Sequence, residues 1–163
     1  MTEHLPLLQS SSNMAASVSM LFFAHSLMRW IVLIAVGTAG IIALRGWLMQ
    51  LPIIVWQRGL AIIALATCHL QVVLGVILYG IRFKRYVPPG FTPREIVFWK
   101  YEHIAVMLLA VTLVTVGRVL SKRAKTEPAK WKMIAIFYLL AFALMCWAIP
   151  WPHTQFGLER SWL

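Results

Sequence analysis

The chain has no aspartate and only five glutamates in 163 residues, so chemistry that needs several carboxylates finds almost nothing to work with. Charge of either sign is scarce: 12% of residues are charged against 61% hydrophobic, a balance that excludes an ordinary water-soluble domain. Cysteine is nearly absent. Cys68 and Cys146 both lie in apolar stretches, where they read as small buried hydrophobes. Without a CxxCH there is no covalent attachment point for a c-type haem, and no paired-cysteine pattern offers a zinc site. A P-loop, a usable internal repeat and a linker long enough for a soluble domain are also missing.

What is present is apolar length. Four stretches, roughly 20–44, 59–81, 96–117 and 133–149, reach the ~20 residues that a helix needs to cross a bilayer. The third is interrupted by Lys100, Glu102 and His103. Only helices and closed barrels satisfy every backbone amide in lipid. The sequence therefore predicts one all-α integral membrane domain, a four-transmembrane-helix bundle. The first run is too long for a signal-peptide core and follows the polar Ser10–Ser11–Ser12–Asn13 stretch, so it reads as a retained anchor. Pro52, Pro88–Pro89–Gly90 and Pro128 mark the three turns. Thr92, Pro93 and Glu95 spell a capped start for the third span. Trp47, Trp56, Trp99, Trp131, Trp147 and Trp151 fall at span ends, where aromatic anchors belong.

The net charge of +10 does not point to nucleic acid, because the basic residues flank spans rather than covering a soluble face. One side of the membrane receives Arg45, Arg58, Arg118, Lys122, Arg123, Lys125, Lys130 and Lys132. The other receives Arg82, Lys84, Arg85, Arg94, Lys100 and Arg160. The excess on the first side makes it the cytoplasmic one, with both termini on the outer side.

Three of the five histidines, His25, His69 and His103, sit inside predicted spans. An ionisable side chain kept in hydrocarbon is a functional-site hypothesis by default. At about 1.5 Å per residue, His25 and His103 come to roughly 8–12 Å below the surface that carries the termini, and His69 to about 16 Å. All three imidazoles can converge in one half of a bundle. Arg29 shares a helix face with His25, Glu102 precedes His103, and Gln71, Gly75 and Tyr79 form a stripe on the second span. Gly37, Gly40 and Gly75 allow a close approach, by a helix or by a planar cofactor. The fourth span carries neither charge nor histidine and reads as packing only.

One haem b is the leading reading of this constellation: its iron takes two axial nitrogens, its ring suits an apolar helical core, and its propionates want cations. His25 and His103 match best in depth as axial ligands, with His69 as the substitute ligand. Arg29, Arg82, Lys84 or Arg85 would meet propionates. A quinone pocket built from His69, Gln71 and Tyr79 is compatible with this. Zinc on three histidines and Glu102 is a weaker competitor, since no His-x-x-x-His or similar clustering on one helix supports it. The plain structural reading pairs Arg29 with Glu102, locking the first span to the third, and leaves the histidines as hydrogen-bonded packing residues.

The segments His25-Ser-Leu-Met-Arg-Trp30, His69-Leu-Gln-Val-Val-Leu-Gly75, Glu102-His103, Gly117-Arg118 and Ala148-Ile-Pro-Trp-Pro152, read together, resemble a family of small bacterial four-helix membrane proteins loosely labelled cytochrome b. The resemblance covers most of residues 22–152. It implies a b-type cytochrome architecture, and it maps the family pattern onto His25, Arg29, Trp30, Glu102 and His103. It also implies that the position of His69 varies.

The resulting expectation is a haem b-binding electron-transfer protein, a subunit or partner of a larger respiratory or photosynthetic complex, exchanging electrons with quinone or a cytochrome. It is an electron-transfer or accessory subunit rather than an independent enzyme. The competing expectation is a non-catalytic accessory subunit with no cofactor, packed by membrane lipid and a large complex. A transporter has little to build on, with one embedded acid and no broken helix.

Overall fold

The computed structural model describes residues 5–82, 92–151, 154 and 156, with side chains from residue 16 onward except that of Arg82. His4, Lys84, Arg85, the Pro88–Pro89–Gly90 turn, His153 and Arg160 lie outside the described residues. Helix α1 spans Leu5–Leu48, α2 Val55–Arg82 and α3 Pro93–Val97; a π-helical turn over Phe98–Glu102 then joins α3 to α4, His103–Arg123. Helix α5, Glu127–Ala148, completes the chain's helices among the described residues. The π turn does not interrupt the third span, so four helices are long and apolar enough to cross a membrane: Ala16–Leu48, Val55–Ile81, Pro93–Arg123 and Glu127–Ala148. The protein is an all-α, multi-pass membrane bundle.

Each span begins or ends where local chemistry dictates. Thr92 caps α3 as the sequence predicts: its hydroxyl accepts from the Glu95 N–H at 3.3 Å, and the Glu95 carboxylate accepts from the Thr92 N–H at 2.7 Å. Pro128 is not in the turn expected of it. It occupies the first turn of α5 behind the Thr126 cap, where a missing N–H costs nothing. Helix α1 ends on Gln50, whose φ of 53° is the left-handed conformation usually given to glycine. The Leu51 N–H returns to the Gly46 carbonyl at 2.9 Å, and the Gln50 side chain donates to the Trp47 carbonyl at 2.7 Å.

Helix α1 packs on α2 and α5, and α4 packs on α5, while α2 and α4 meet only loosely. In lipid there is no hydrophobic force to drive helices together, so contact depends on small residues that let backbones approach. The buried seam carries Ala39, Ala43, Ala61, Ala64, Ala110 and Ala141. Outward-facing Ile34, Ile41, Val55 and Val73 are as apolar as the core, as a lipid-facing surface must be.

The end of the bundle near the α1–α2 turn is closed tightly. A methyl group on Gly46 would lie 2.5 Å from Trp131, and one on Gly117 would lie 2.5 Å from Phe137. Trp131 is therefore not the interfacial anchor that its position in sequence suggested: it is 2% exposed, and its indole N–H donates to the Leu51 carbonyl at 2.8 Å. Tyr138, fully buried, donates to the Ala61 carbonyl at 2.8 Å and ties α5 to α2.

Candidate functional site

At the opposite end a cavity of about 350 Å³ opens, lined by α1, α2, α4 and the end of α5. That volume lies in the range of small-ligand pockets. Most of its wall is apolar, with Phe22, Leu33, Met107 and Ile149 among the contributors. The polar side chains on it are few and convergent: His25, Ser26 and Arg29 from α1, Gln71 and Tyr79 from α2, Lys100 from the π turn, and His103 from the first residue of α4.

His25 and His103 thus come together, as depth alone suggested. The His103 ring has its Nδ1 3.1 Å from the carbonyl of Ala148 and is flanked by Trp99, with ring centroids 5.4 Å apart. A carbonyl only accepts, so Nδ1 carries a proton. This bond has a cause in the sequence. In a continuing helix Ala148 would be bonded by the N–H of residue 152, which is a proline and has none. The same arithmetic applies to Cys146 and Pro150, and there the Trp151 indole donates to the Cys146 carbonyl at 2.7 Å. Two prolines remove two helix donors, and an indole and an imidazole replace them. The fourth span therefore contributes a carbonyl to the site, which a search for charge and histidine could not find.

On the facing wall, the Gln71 amide donates to the His25 carbonyl at 3.0 Å and lies 3.3 Å from His25 Nε2. One side-chain amide holds both the backbone and the ring of His25. His25 Nδ1 and Gln71 Oε1 are buried and have no hydrogen-bond partner among the described residues. A buried donor or acceptor left unmade is costly, so both atoms mark where a ligand's polar groups would be rewarded. Gly75 fits the same picture: a methyl group there would stand 3.2 Å from His25 Cε1, so its absence makes room for the imidazole over α2. The group approaching this glycine is a histidine ring rather than a helix backbone.

His69 is not brought to the cavity. It is exposed on the outer face of α2, with its Nδ1 2.8 Å from the Leu65 carbonyl. The reason is azimuth. Cys68, Gln71, Gly75 and Leu78 recur at three- and four-residue steps and line the cavity. His69 is about 200° around the helix from Gln71 and so faces lipid. Gln71 and Tyr79 share the cavity wall without it.

Arg29 and Glu102 are also not joined as the sequence reading had them. Glu102 is bound by Arg94, eight residues earlier, while the Arg29 guanidinium lies 5.4 Å from the Trp30 ring centroid. Residues eight apart on a regular α-helix differ by about 80° in direction. The wider π turn between them absorbs roughly one residue and returns Arg94 and Glu102 to one face. Among the described residues no group of three His, Cys, Asp or Glu is close enough to hold a metal ion, so the zinc shell of three histidines and Glu102 is not assembled.

Comparison with known protein families, with curated proteins and with solved structures finds no match.

Proposed function

We propose that the chain is a haem b-binding electron-transfer protein of a bacterial cytoplasmic membrane, in which His25 and His103 would hold the haem iron. One observation carries this reading: two imidazoles from different spans line one apolar cavity inside the membrane. When bound, the haem supplies a one-electron step. The residues do the rest. The Ala148 carbonyl accepts from His103 Nδ1, so Nε2 would be the nitrogen to hold the iron, an arrangement common to metal-binding imidazoles. Gln71 holds His25 in place, and Gly75 keeps α2 clear of its ring. Arg29 and Lys100, on the cavity wall, would offer cations to the propionates. The family resemblance, with its loose cytochrome b label, points the same way.

The reading extends to a partner. With no extramembrane domain among the described residues, the protein would exchange electrons with quinone or a cytochrome inside a larger respiratory or photosynthetic complex. The basic end would face the cytoplasm and the cavity end the outer side.

A reduced-minus-oxidised visible spectrum of the purified chain tests this. We expect a b-type band that is lost in His25→Ala and His103→Ala and kept in His69→Ala. A wild-type chain with no haem band overturns the proposal. The second reading, an accessory subunit with no cofactor, is favoured by one observation: both cavity histidines bond to a neighbouring span, as packing residues would.

A further inference from the structure

The closed end of the bundle holds a second, smaller cavity of about 160 Å³ between α2, α4 and α5. Four cations line it: Arg58, Arg118, Lys122 and Lys130. One acid serves them. Glu127, the single acidic residue at this end among the described residues, accepts from Lys130 at 3.1 Å and from the Ile53 N–H at 2.8 Å, and lies 3.7 Å from Arg58. Its oxygens are spent on the α2 and α5 side of the cavity. Arg118 and Lys122, on the α4 side, have no acidic partner among the described residues. They stand four apart on one face of α4, where like charges repel unless an anion lies between them. The Ser121 hydroxyl, in a residue only 3% exposed, lines the same wall, and Trp131 and Ile134 give it an apolar floor.

Topology alone does not ask for this arrangement. The excess of positive charge on one side of a membrane requires basic residues near span ends, but it does not require them to line a cavity. Arg123 and Lys125 meet that requirement at the same end without lining it. We propose that this cavity binds a phosphate group carried by a net-anionic molecule. The phosphate would sit between Arg118, Lys122 and Arg58, and any glycerol or acyl portion would lie on the Trp131–Ile134 floor. Basic pockets between spans take anionic lipid headgroups by this chemistry, and free phosphate shares it. The site is independent of the haem reading: it lies at the other end of the bundle and shares no residue with the histidine cavity.

The test is thermal unfolding of the delipidated full chain in neutral detergent, titrated separately with dioleoyl phosphatidylglycerol, dioleoyl phosphatidylcholine and inorganic phosphate. Phosphatidylglycerol should raise the midpoint saturably, and net-neutral phosphatidylcholine should not. Removing two cavity charges in R118Q/K122Q should weaken the half-saturating concentration by about 30-fold. R123Q/K125Q removes the same charge outside the cavity and should barely change it. A saturable shift from inorganic phosphate as large as that from the lipid supports the site and assigns it to free phosphate. Equal losses in the two double variants, or no shift with either anion, overturns the proposal. Should R118Q/K122Q fail to fold, the exposed Lys122→Gln change alone is expected to weaken binding about fivefold, and an unchanged titration would then overturn it.

Discussion

The two ends of the bundle use the same four spans to opposite effect. Toward the α1–α2 turn, glycines at 46 and 117 let Trp131 and Phe137 press onto helix backbone, and Trp131, Tyr138 and Glu127 each add a hydrogen bond across elements. Toward the histidines the spans line a cavity of about 350 Å³, and hydrogen bonds between spans there run through His25, Gln71 and His103. A helix pair cannot both touch along its length and enclose a ligand. Here the larger cavity lies at one end and the tightest packing of side chains on backbone at the other.

That division can be broken most severely at Trp131. Trp131→Ala should remove about 3 kcal/mol from the unfolding free energy measured in detergent, because a fully packed indole and its bond to Leu51 are lost together. The estimate sits low in the usual range since lipid supplies no transfer term. An unfolding free energy unchanged within 0.5 kcal/mol, taken as roughly the size of a neutral surface change, would show that the closed end does not carry the fold.

A sharper comparison sets one methyl group at each end. Gly46→Ala forces a carbon to 2.5 Å from a buried indole and should cost about 1–3 kcal/mol. Gly75→Ala meets only the edge of His25 at 3.2 Å, so its stability cost should be well below that of Gly46→Ala. Its effect should fall instead on haem retention in the visible spectrum, if the haem proposal holds. Equal stability losses at the two glycines would erase the distinction between the ends. The smallest expected effect is a gain: Gln50→Gly relieves a left-handed backbone and should stabilise by about 0.5–1 kcal/mol, less whatever the Gln50–Trp47 bond contributes.

Much of this was legible in the sequence, for reasons that differ by residue. Apolar length located all four spans, and rise per residue placed His25 and His103 at one level. Direction around the helix was equally available but carries information only once a face is identified. The small and polar positions 68, 71 and 75 mark that face and turn His69 outward. The Arg94–Glu102 pair was hidden, because a π turn has no signature in composition and shifts the register by which partners are chosen. Trp131 looked like its neighbours at the interface, since tryptophan suits both a headgroup layer and a core; Gly46 opposite decided it. The basic loops were read as topology, and their gathering around a cavity required the third dimension.

The prolines that close the fourth span reach further than their own backbone. With Pro150 stopping α5, the Ala148 carbonyl is left without a helix donor, and the choice of which imidazole nitrogen bears a proton falls to a residue 45 positions away from His103 in the chain. The ligating character of that histidine is thus written partly in proline.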